Sequence, residues 1–432
     1  MEVDRLEAGV VETGAVAAPI ETVLPEQPKP IRLDRSGQAR VLAAGISSWT
    51  LMAVGTLGIS PVYPDIARDL GLKADAFGAV LGIATLVAGL LQIPMGLLAD
   101  RYRVKYIAAV GLMAAAAAPV VWSLAPNYRV YAIGMVAMGI CIVCLQAGFH
   151  TAIAKAFRDR GRASAMSTLF VASSLGSVAS LLLFGEIGGR VGWRPVALGI
   201  SWLPLLALPL VLTMPDVAAG DVKKTLSEIV RDSSRYLLHG RAIALSGLMI
   251  LTAATAFGTQ FLIPFVLRGH SYGAGATGLL LIPFIIGGLV GAPLMGALTD
   301  RLGAARPVAV GMFCGAFALT VLAWSGPQPP ILVVCFLILG TLANGGQAVL
   351  LSSAAEAASR LTDVGTGSAL GITRLAQSFG PAISPTIIGF LFLRTGGTTT
   401  ELVLAAVLAT AGFMAIGVLA GLRQRHPARS AA

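Results

Sequence analysis

The chain has 432 residues, of which 56% are hydrophobic and only 12% charged, and its mean hydropathy is +0.81. Soluble domains carry about 25% charged residues, so a water-soluble fold is excluded and lipid is the required solvent. The formal charge of +10 comes from Lys and Arg scattered between apolar segments; no basic, aromatic-interleaved face exists, and a nucleic-acid partner is not expected.

Residues 1–38 combine Glu2, Asp4, Glu7 and Glu12 with Pro19, Pro25, Pro28 and Pro30 and show no sustained apolar period. They read as a disordered tail. They lack the basic start and apolar core of a signal peptide, so the first apolar segment is expected to persist as a true span.

Apolar segments of about 20 residues, enough to cross a hydrocarbon layer of about 30 Å as a helix, then recur twelve times, at 40–62, 75–98, 104–124, 130–153, 163–185, 195–213, 241–266, 274–298, 306–325, 330–354, 365–391 and 400–422. The charged break 214–240 holds Asp216, Asp221, Lys223, Lys224 and Glu228 and divides them six and six. The expected organisation is a bundle over 39–213, a linker over 214–240, a second bundle over 241–422 and a short tail over 423–432. Within the linker, 228–238 could form an amphipathic surface helix with Ile229 and Leu237 or Leu238 toward lipid. If span 1 starts inside, the outer loops hold only Arg68, Lys73, Arg129, Arg190, Arg194, Arg268 and Arg394, and most other basic residues lie inside. That bias puts both termini in the cytoplasm.

Halfway periodicity is the strongest further signal. The stretch 96–105 (GLLADRYRVK) ends span 2, and 296–306 (GALTDRLGAAR) ends span 8, 200 residues on. Gln146-Ala147 in span 4 is answered by Gln347-Ala348 in span 10, and ASAMSTLFVASSLG from 163 by GSALGITRLAQSFG from 367. Internal duplication explains such offsets.

Twelve spans with Gly-x-x-x-Asp-Arg after spans 2 and 8 resemble the major facilitator superfamily. Pro64-Asp65-Ile66-Ala67 after span 1 and Gly192-Trp193-Arg194 before span 6 are similar to that family too. The resemblance implies an all-α membrane protein, two pseudo-symmetric six-helix bundles, and alternating access to a midplane site lined by spans 1, 4, 7 and 10. It makes Gly96, Asp100, Arg101, Gly296, Asp300 and Arg301 a gate motif, with Asp100 meeting the positive start of span 11 and Asp300 a weaker partner against span 5. There are departures. Arg103 stands where the family usually has a second Gly, which the second copy keeps as Gly303. Met135 replaces the Arg that many proton-coupled exporters carry in span 4, and Gly176 is followed by Ser177 rather than Pro.

Polar residues in spans face bundle interiors. The substrate-cavity candidates are Thr50, Gln146, Thr252, Thr255, Thr259, Asn344, Gln347 and Arg374. Thr252, Thr255 and Thr259 share one helical face, where they either line water or bond back to their own helix. Arg374, about ten residues into span 11, binds an anionic substrate from the cavity edge, snorkels, or bonds to span 10. His150, with Asp65 and Glu186, is a candidate proton relay, and a packed neutral imidazole is the bland alternative for His150. Cys141 and Cys144 form a CxxC inside an apolar run without further metal ligands, and read as small buried packers.

No P-loop, H-E-x-x-H or G-x-S-x-G stands in a credible context, so neither an enzyme nor an ATP-driven pump is expected. With the resemblance, these residues imply a monomeric secondary transporter of a small organic molecule in a bacterial inner membrane, with no cofactor or metal and with protons as the coupling ion. Export of a drug-like compound or metabolite is the leading expectation. Uptake of a small organic anion held by Arg374 is the alternative.

Overall fold

The computed structural model describes residues 33–56, 58–157, 162–216, 228, 231, 239–353 and 366–423, with backbone alone at 100, 101, 162, 163, 366–373 and 420–423. Every regular element among them is helical. The expected surface helix at 228–238 and most of the two tails lie outside the described residues.

Span 1 is Arg35–Thr56, followed by the 3-10 turn Ser60–Val62 and the short helix Tyr63–Asp69. It starts before residue 39 because Asp34 caps it: the Gly37 N–H donates to Asp34 Oδ1 at 2.8 Å and the Ser36 hydroxyl to Oδ2 at 2.7 Å, satisfying groups a helix start leaves open. Spans 2, 3 and 4 are Ala74–Arg101, Val104–Leu124 and Tyr128–Ala156. Asn127 caps span 4, its Oδ1 accepting from the Arg129 and Val130 N–H groups at 3.1 and 3.2 Å. Span 5, Arg162–Leu182, continues through a π turn, Leu183–Ile187, into Gly188–Val191. Span 6 is broken into Trp193–Ile200, Leu203–Ala207 and Leu208–Leu212, where Pro204 and Pro209 withhold ladder donors.

Spans 7, 8 and 9 are Gly240–Gly269, Ala274–Leu302 and Ala305–Ser325. Span 10, Pro329–Thr341, runs through a π turn, Leu342–Gly346, to residue 353. Thr366–Arg423 is one run of helix interrupted at Gly396, with φ 80° and ψ 177°. Its apolar part, Arg374–Leu419, has 46 residues; a straight helix of that size would extend about 69 Å, more than twice the hydrocarbon layer. Glycine reaches that φ without a Cβ clash, and here it divides span 11 from span 12. Among the described residues, the 11 membrane-length segments thereby become twelve spans.

The connections 102–103, 125–127, 303–304 and 326–328 are too short for re-entry from the other side, so each span there returns antiparallel to its predecessor. Spans 2 and 8 both end on one face, called here the motif face. Toward the opposite face a single apolar cluster runs through both bundles, with Ile59, Phe77, Leu181 and Phe184 from the first and Phe261, Ile263 and Leu281 from the second. A separate core around Val41, Leu112, Leu145 and Phe149 belongs to the first bundle alone. Of the four cysteines, Cys141, Cys144 and Cys335 are buried, as expected for the first two, and Cys314 is exposed.

Two seams join the bundles. Along spans 2 and 11, Gly389 meets Ala74, Gly78 meets Pro385, Gly82 meets Ala382 and Gly89 meets Ser378, an antiparallel register in which a Cβ at Gly82 would strike the Ala382 carbonyl. Along spans 5 and 8, a Cβ at Gly278 would stand 2.6 Å from the Leu181 carbonyl, and one at Gly185 3.0 Å from that of Ala274. Small residues let backbones approach where lipid offers no hydrophobic drive between helices.

Candidate functional site

On the motif side of these seams, spans 1, 4, 5, 8, 10 and 11 enclose a cavity of about 330 Å³, within the usual range for small-molecule sites. Its polar wall is Gln146, His150, Ser173, Asn344, Gln347, Arg374 and Gln377, and Trp49, Met166 and Phe170 supply the apolar wall. Each polar group has a local reason for its place. Asn344 sits in the π turn of span 10, a helical irregularity common at functional sites, and the missing side chain of Gly288 makes room for its amide. Gln377, three residues after Arg374 and so on the same face, donates its amide to Gln347 Oε1 across spans 10 and 11. Trp49 stacks on His150 with ring centroids 6.4 Å apart and planes inclined by 11°.

Arg374 is the cationic side chain of this wall. Its backbone carbonyl accepts the Ser378 hydroxyl at 3.2 Å, and among the described residues no carboxylate pairs with its guanidinium. A cation at membrane depth costs from about 2.5 to more than 10 kcal/mol unless a partner or water compensates it. The cavity therefore combines a positive charge without a carboxylate partner among the described residues, neutral amides and aromatic faces.

Gln146, His150, Asn344, Gln347 and Arg374 thus converge, but the other polar candidates do not. Thr50 donates to the Ala172 carbonyl at 3.2 Å, tying span 1 to span 5. Thr252, Thr255 and Thr259 are buried and bond back to the carbonyls of Leu248, Leu251 and Thr255 at 2.9, 2.8 and 2.8 Å. They face Phe284, Leu339 and Leu408 around a crevice of about 10 Å³ inside the second bundle, so the shared helical face packs within that bundle and does not line the 330 Å³ cavity. Missing from the sequence reading were Trp49, Phe170, Ser173 and Gln377; the i, i+3 spacing of Gln377 from Arg374 was the signal available.

The relay candidates other than His150 lie at the opposite face. Asp65 pairs with Arg268 of the other bundle, and with Arg68 of its own helix at 3.0 Å. Glu186 pairs with Arg190 at 3.1 Å on its own helix. Neither reaches the cavity. Beneath the Asp65–Arg268 pair, Tyr63 and Phe77 of the first bundle pack on Phe261 and Phe265 of the second, the Tyr63 and Phe77 rings 5.5 Å apart and Phe77 and Phe261 6.4 Å. An ion pair and four rings close this end.

At the motif face, Gly96 and Gly296 have no atom within 4 Å of where a Cβ would stand, and Asp300 and Arg301 are exposed. The side chains of Asp100 and Arg101, and the contact expected of Asp100 with the start of span 11, lie outside the described residues. Arg103, which takes the place of the motif's second glycine, reaches Asp216 after span 6 at 3.3 Å, and Lys105 reaches it at 2.8 Å. The departure from the motif thus ties this loop to the start of the linker after span 6.

Twelve membrane spans in two bundles around a polar cavity define a multi-pass membrane transporter of small organic solutes. The family model described as Major Facilitator Superfamily matches residues 41–362 and 245–432, and the chain belongs to that family. It is 24% identical to a gallate transporter of Pseudomonas putida over 76% of this chain and 80% of that one. It is 27% identical to the transcription regulatory protein OpdE of Pseudomonas aeruginosa over 87% and 92%, and 24% identical to a probable L-galactonate transporter of Escherichia coli K12 over 81% and 82%. Among solved structures, the D323A mutant of the nucleoside transporter NupG superposes with a TM-score of 0.72 at 11% identity, covering 88% of this chain and 99% of that one. Such a likeness shows the fold. With the family it makes this chain a transporter and not an enzyme.

Proposed function

We propose that the protein carries a small organic carboxylate across the membrane by alternating access, with Arg374 as the anion ligand, protons as the coupling ion and the motif face in the cytoplasm. The observation that carries the reading is the Arg374 guanidinium on the cavity wall, without a carboxylate partner among the described residues. A substrate carboxylate would supply the missing anion through charge-assisted, bidentate hydrogen bonds, while Gln146, Asn344 and Gln347 would take its hydroxyl or carbonyl groups. Two relatives are named for carboxylates, gallate and L-galactonate, which supports the same chemistry. Export of a neutral drug-like solute, the leading expectation from the sequence, loses one of its supports, because the threonine face belongs to the inside of the second bundle.

The basic residues outside the spans support the orientation. Closure by Asp65–Arg268 and the aromatic rings then describes a conformation sealed toward the outside, and uptake is the direction we favour.

Uptake of gallate, of galactonate and of uridine into proteoliposomes tests this. Arg374→Gln is expected to lower carboxylate uptake by about two orders of magnitude, the cost of removing one partner of a desolvated charge pair, while the variant melts near the wild-type temperature. Unchanged apparent affinity in that variant, or a wild-type protein that moves uridine and ignores both acids, would remove the proposal.

A further inference from the structure

A second cavity, of about 100 Å³, lies inside the second bundle near the opposite face, between the end of span 7, spans 9 and 10 and the start of span 12. Glu401 lines it. Its side chain is only 5% exposed, and it has no hydrogen-bond or ion-pair partner among the described residues. A carboxyl group so placed is held as the neutral acid or against a cation, because an isolated buried carboxylate is too costly.

The groups facing it are few. His270, at the end of span 7, lines the same cavity, and its Nδ1 lies 3.0 Å from the Val266 carbonyl. A carbonyl only accepts, so Nδ1 carries the hydrogen and Nε2 is left as the ring's second site. On span 10, Cys335 is a buried thiol, and Thr398 is the remaining polar side chain on the wall. The surfaces turned to it by spans 7, 9 and 10 are otherwise apolar, Val266, Leu267, Leu322 and Leu332 among them. Arg268, two residues before His270, is engaged with Asp65 of the first bundle.

We propose that this cavity is a cation-binding site of the transport cycle, in which Glu401 takes up one proton from the opposite face and His270 is its hydrogen-bonding neighbour. A proton fits better than a metal ion: among the described residues no three His, Cys, Asp or Glu side chains converge to hold a metal, and one carboxylate is neutralised by one proton. The loaded site is a neutral acid beside the His270 ring. Loss of the proton to the outer solvent leaves a carboxylate that draws His270, and with it the end of span 7, toward the cavity. Arg268 rides on that end, so occupancy of the site bears on the Asp65–Arg268 closure. The inference rests on the chain being a transporter but not on what it carries.

The test needs no substrate. Infrared difference spectra of the purified wild-type protein minus Glu401→Gln, recorded over a pH series, are expected to contain a protonated-carboxyl stretch that disappears as pH rises. The melting temperature of the wild type should show a matching pH step that Glu401→Gln erases, Glu401→Asp retains and His270→Gln displaces, with no response to NaCl in place of choline chloride at fixed pH. Superimposable pH curves for wild type and Glu401→Gln, with no difference band, would overturn the proposal. A sodium-dependent rise in melting temperature lost in Glu401→Gln would overturn the proton in favour of a metal ion. A chain that fails to move either carboxylic acid but keeps the Glu401 titration contradicts only the substrate reading.

Discussion

Toward the opposite face the bundles meet through backbone and rings: Gly82 lies on Ala382, Gly278 on Leu181, and Phe77 packs against Phe261. Toward the motif face they present polar side chains to one another across a cavity, Gln146 and His150 from the first and Asn344, Gln347 and Arg374 from the second. The first arrangement tolerates almost no added volume, because close-packed backbones cannot yield. The second lines open space with polar side chains, among them Arg374, which has no carboxylate partner among the described residues, the condition for receiving a ligand. Affinity and closure thus depend on different residues and are separable by substitution.

The largest expected effect comes from the packed seam. Gly82→Val would push two methyl groups into the Ala382 carbonyl, and overpacking of this kind costs about 1–3 kcal/mol or more; a lower melting temperature and loss of transport are expected. Gly96→Val, where no neighbour stands within 4 Å of the Cβ position, should melt like the wild type, and equal damage at both sites would dissolve the distinction between the two ends. Next, Arg374→Lys keeps the charge and loses the planar fork. Carboxylate affinity should fall about tenfold, measured by ligand-induced thermal stabilisation.

The closing ion pair comes third. A cycle of Asp65→Asn, Arg268→Gln and the double variant should give a coupling of about 1 kcal/mol, the upper range for partly exposed pairs, read as an approximately fivefold change in labelling of a cysteine introduced at Ser173. Additive single effects would mean that the pair does not bias closure.

Thr255→Val is expected to change stability by less than about 1 kcal/mol and to leave substrate affinity unaltered, since its hydroxyl serves the Leu251 carbonyl. A lost affinity would return the threonine face to the cavity. The smallest effect belongs to Asp34, whose carboxyl is held below its ordinary value of 3.8, first by the Ser36 hydroxyl and then by the Gly37 N–H. A lowered value means that the cap stabilises span 1 above the ordinary carboxylate range and that this contribution fades as pH falls through it. The protection of the Gly37 amide, its exchange rate taken relative to the intrinsic rate at each pH, should therefore fall on acidification in the wild type and stay flat in Asp34→Asn.

Much of the fold was legible in the sequence because membrane thickness imposes a length on every span and the duplicated motif places spans 2 and 8. The break at Gly396 was readable as a polar interruption, TGGTTT, even though the helix nearly runs through it. The site was legible only where a side chain had no local way to satisfy itself. Gln146, Asn344 and Arg374 cannot bond back to their own helix as a threonine can, so they had to face partners or solvent. Thr252 and Thr259 can, and their spacing therefore carried no information about the cavity. Asp65 looked like a relay residue because its partner, Arg268, lies 203 positions away. Glu401 escaped notice because a carboxylate beside a predicted span end resembles an interface anchor until three neighbouring spans are seen to enclose it.

Cys314, the exposed thiol of the four, has a practical consequence. Cys314 stands midway along Ala305–Ser325, so its open side meets lipid; with Cys141, Cys144 and Cys335 withdrawn into the packing, a thiol reagent applied to the detergent-solubilised protein should attach at one stoichiometric position on span 9 of the unaltered chain. The natural protein thereby offers a ready reporter position from which rigid-body motion of the second bundle can be followed by fluorescence, before any engineered label is introduced.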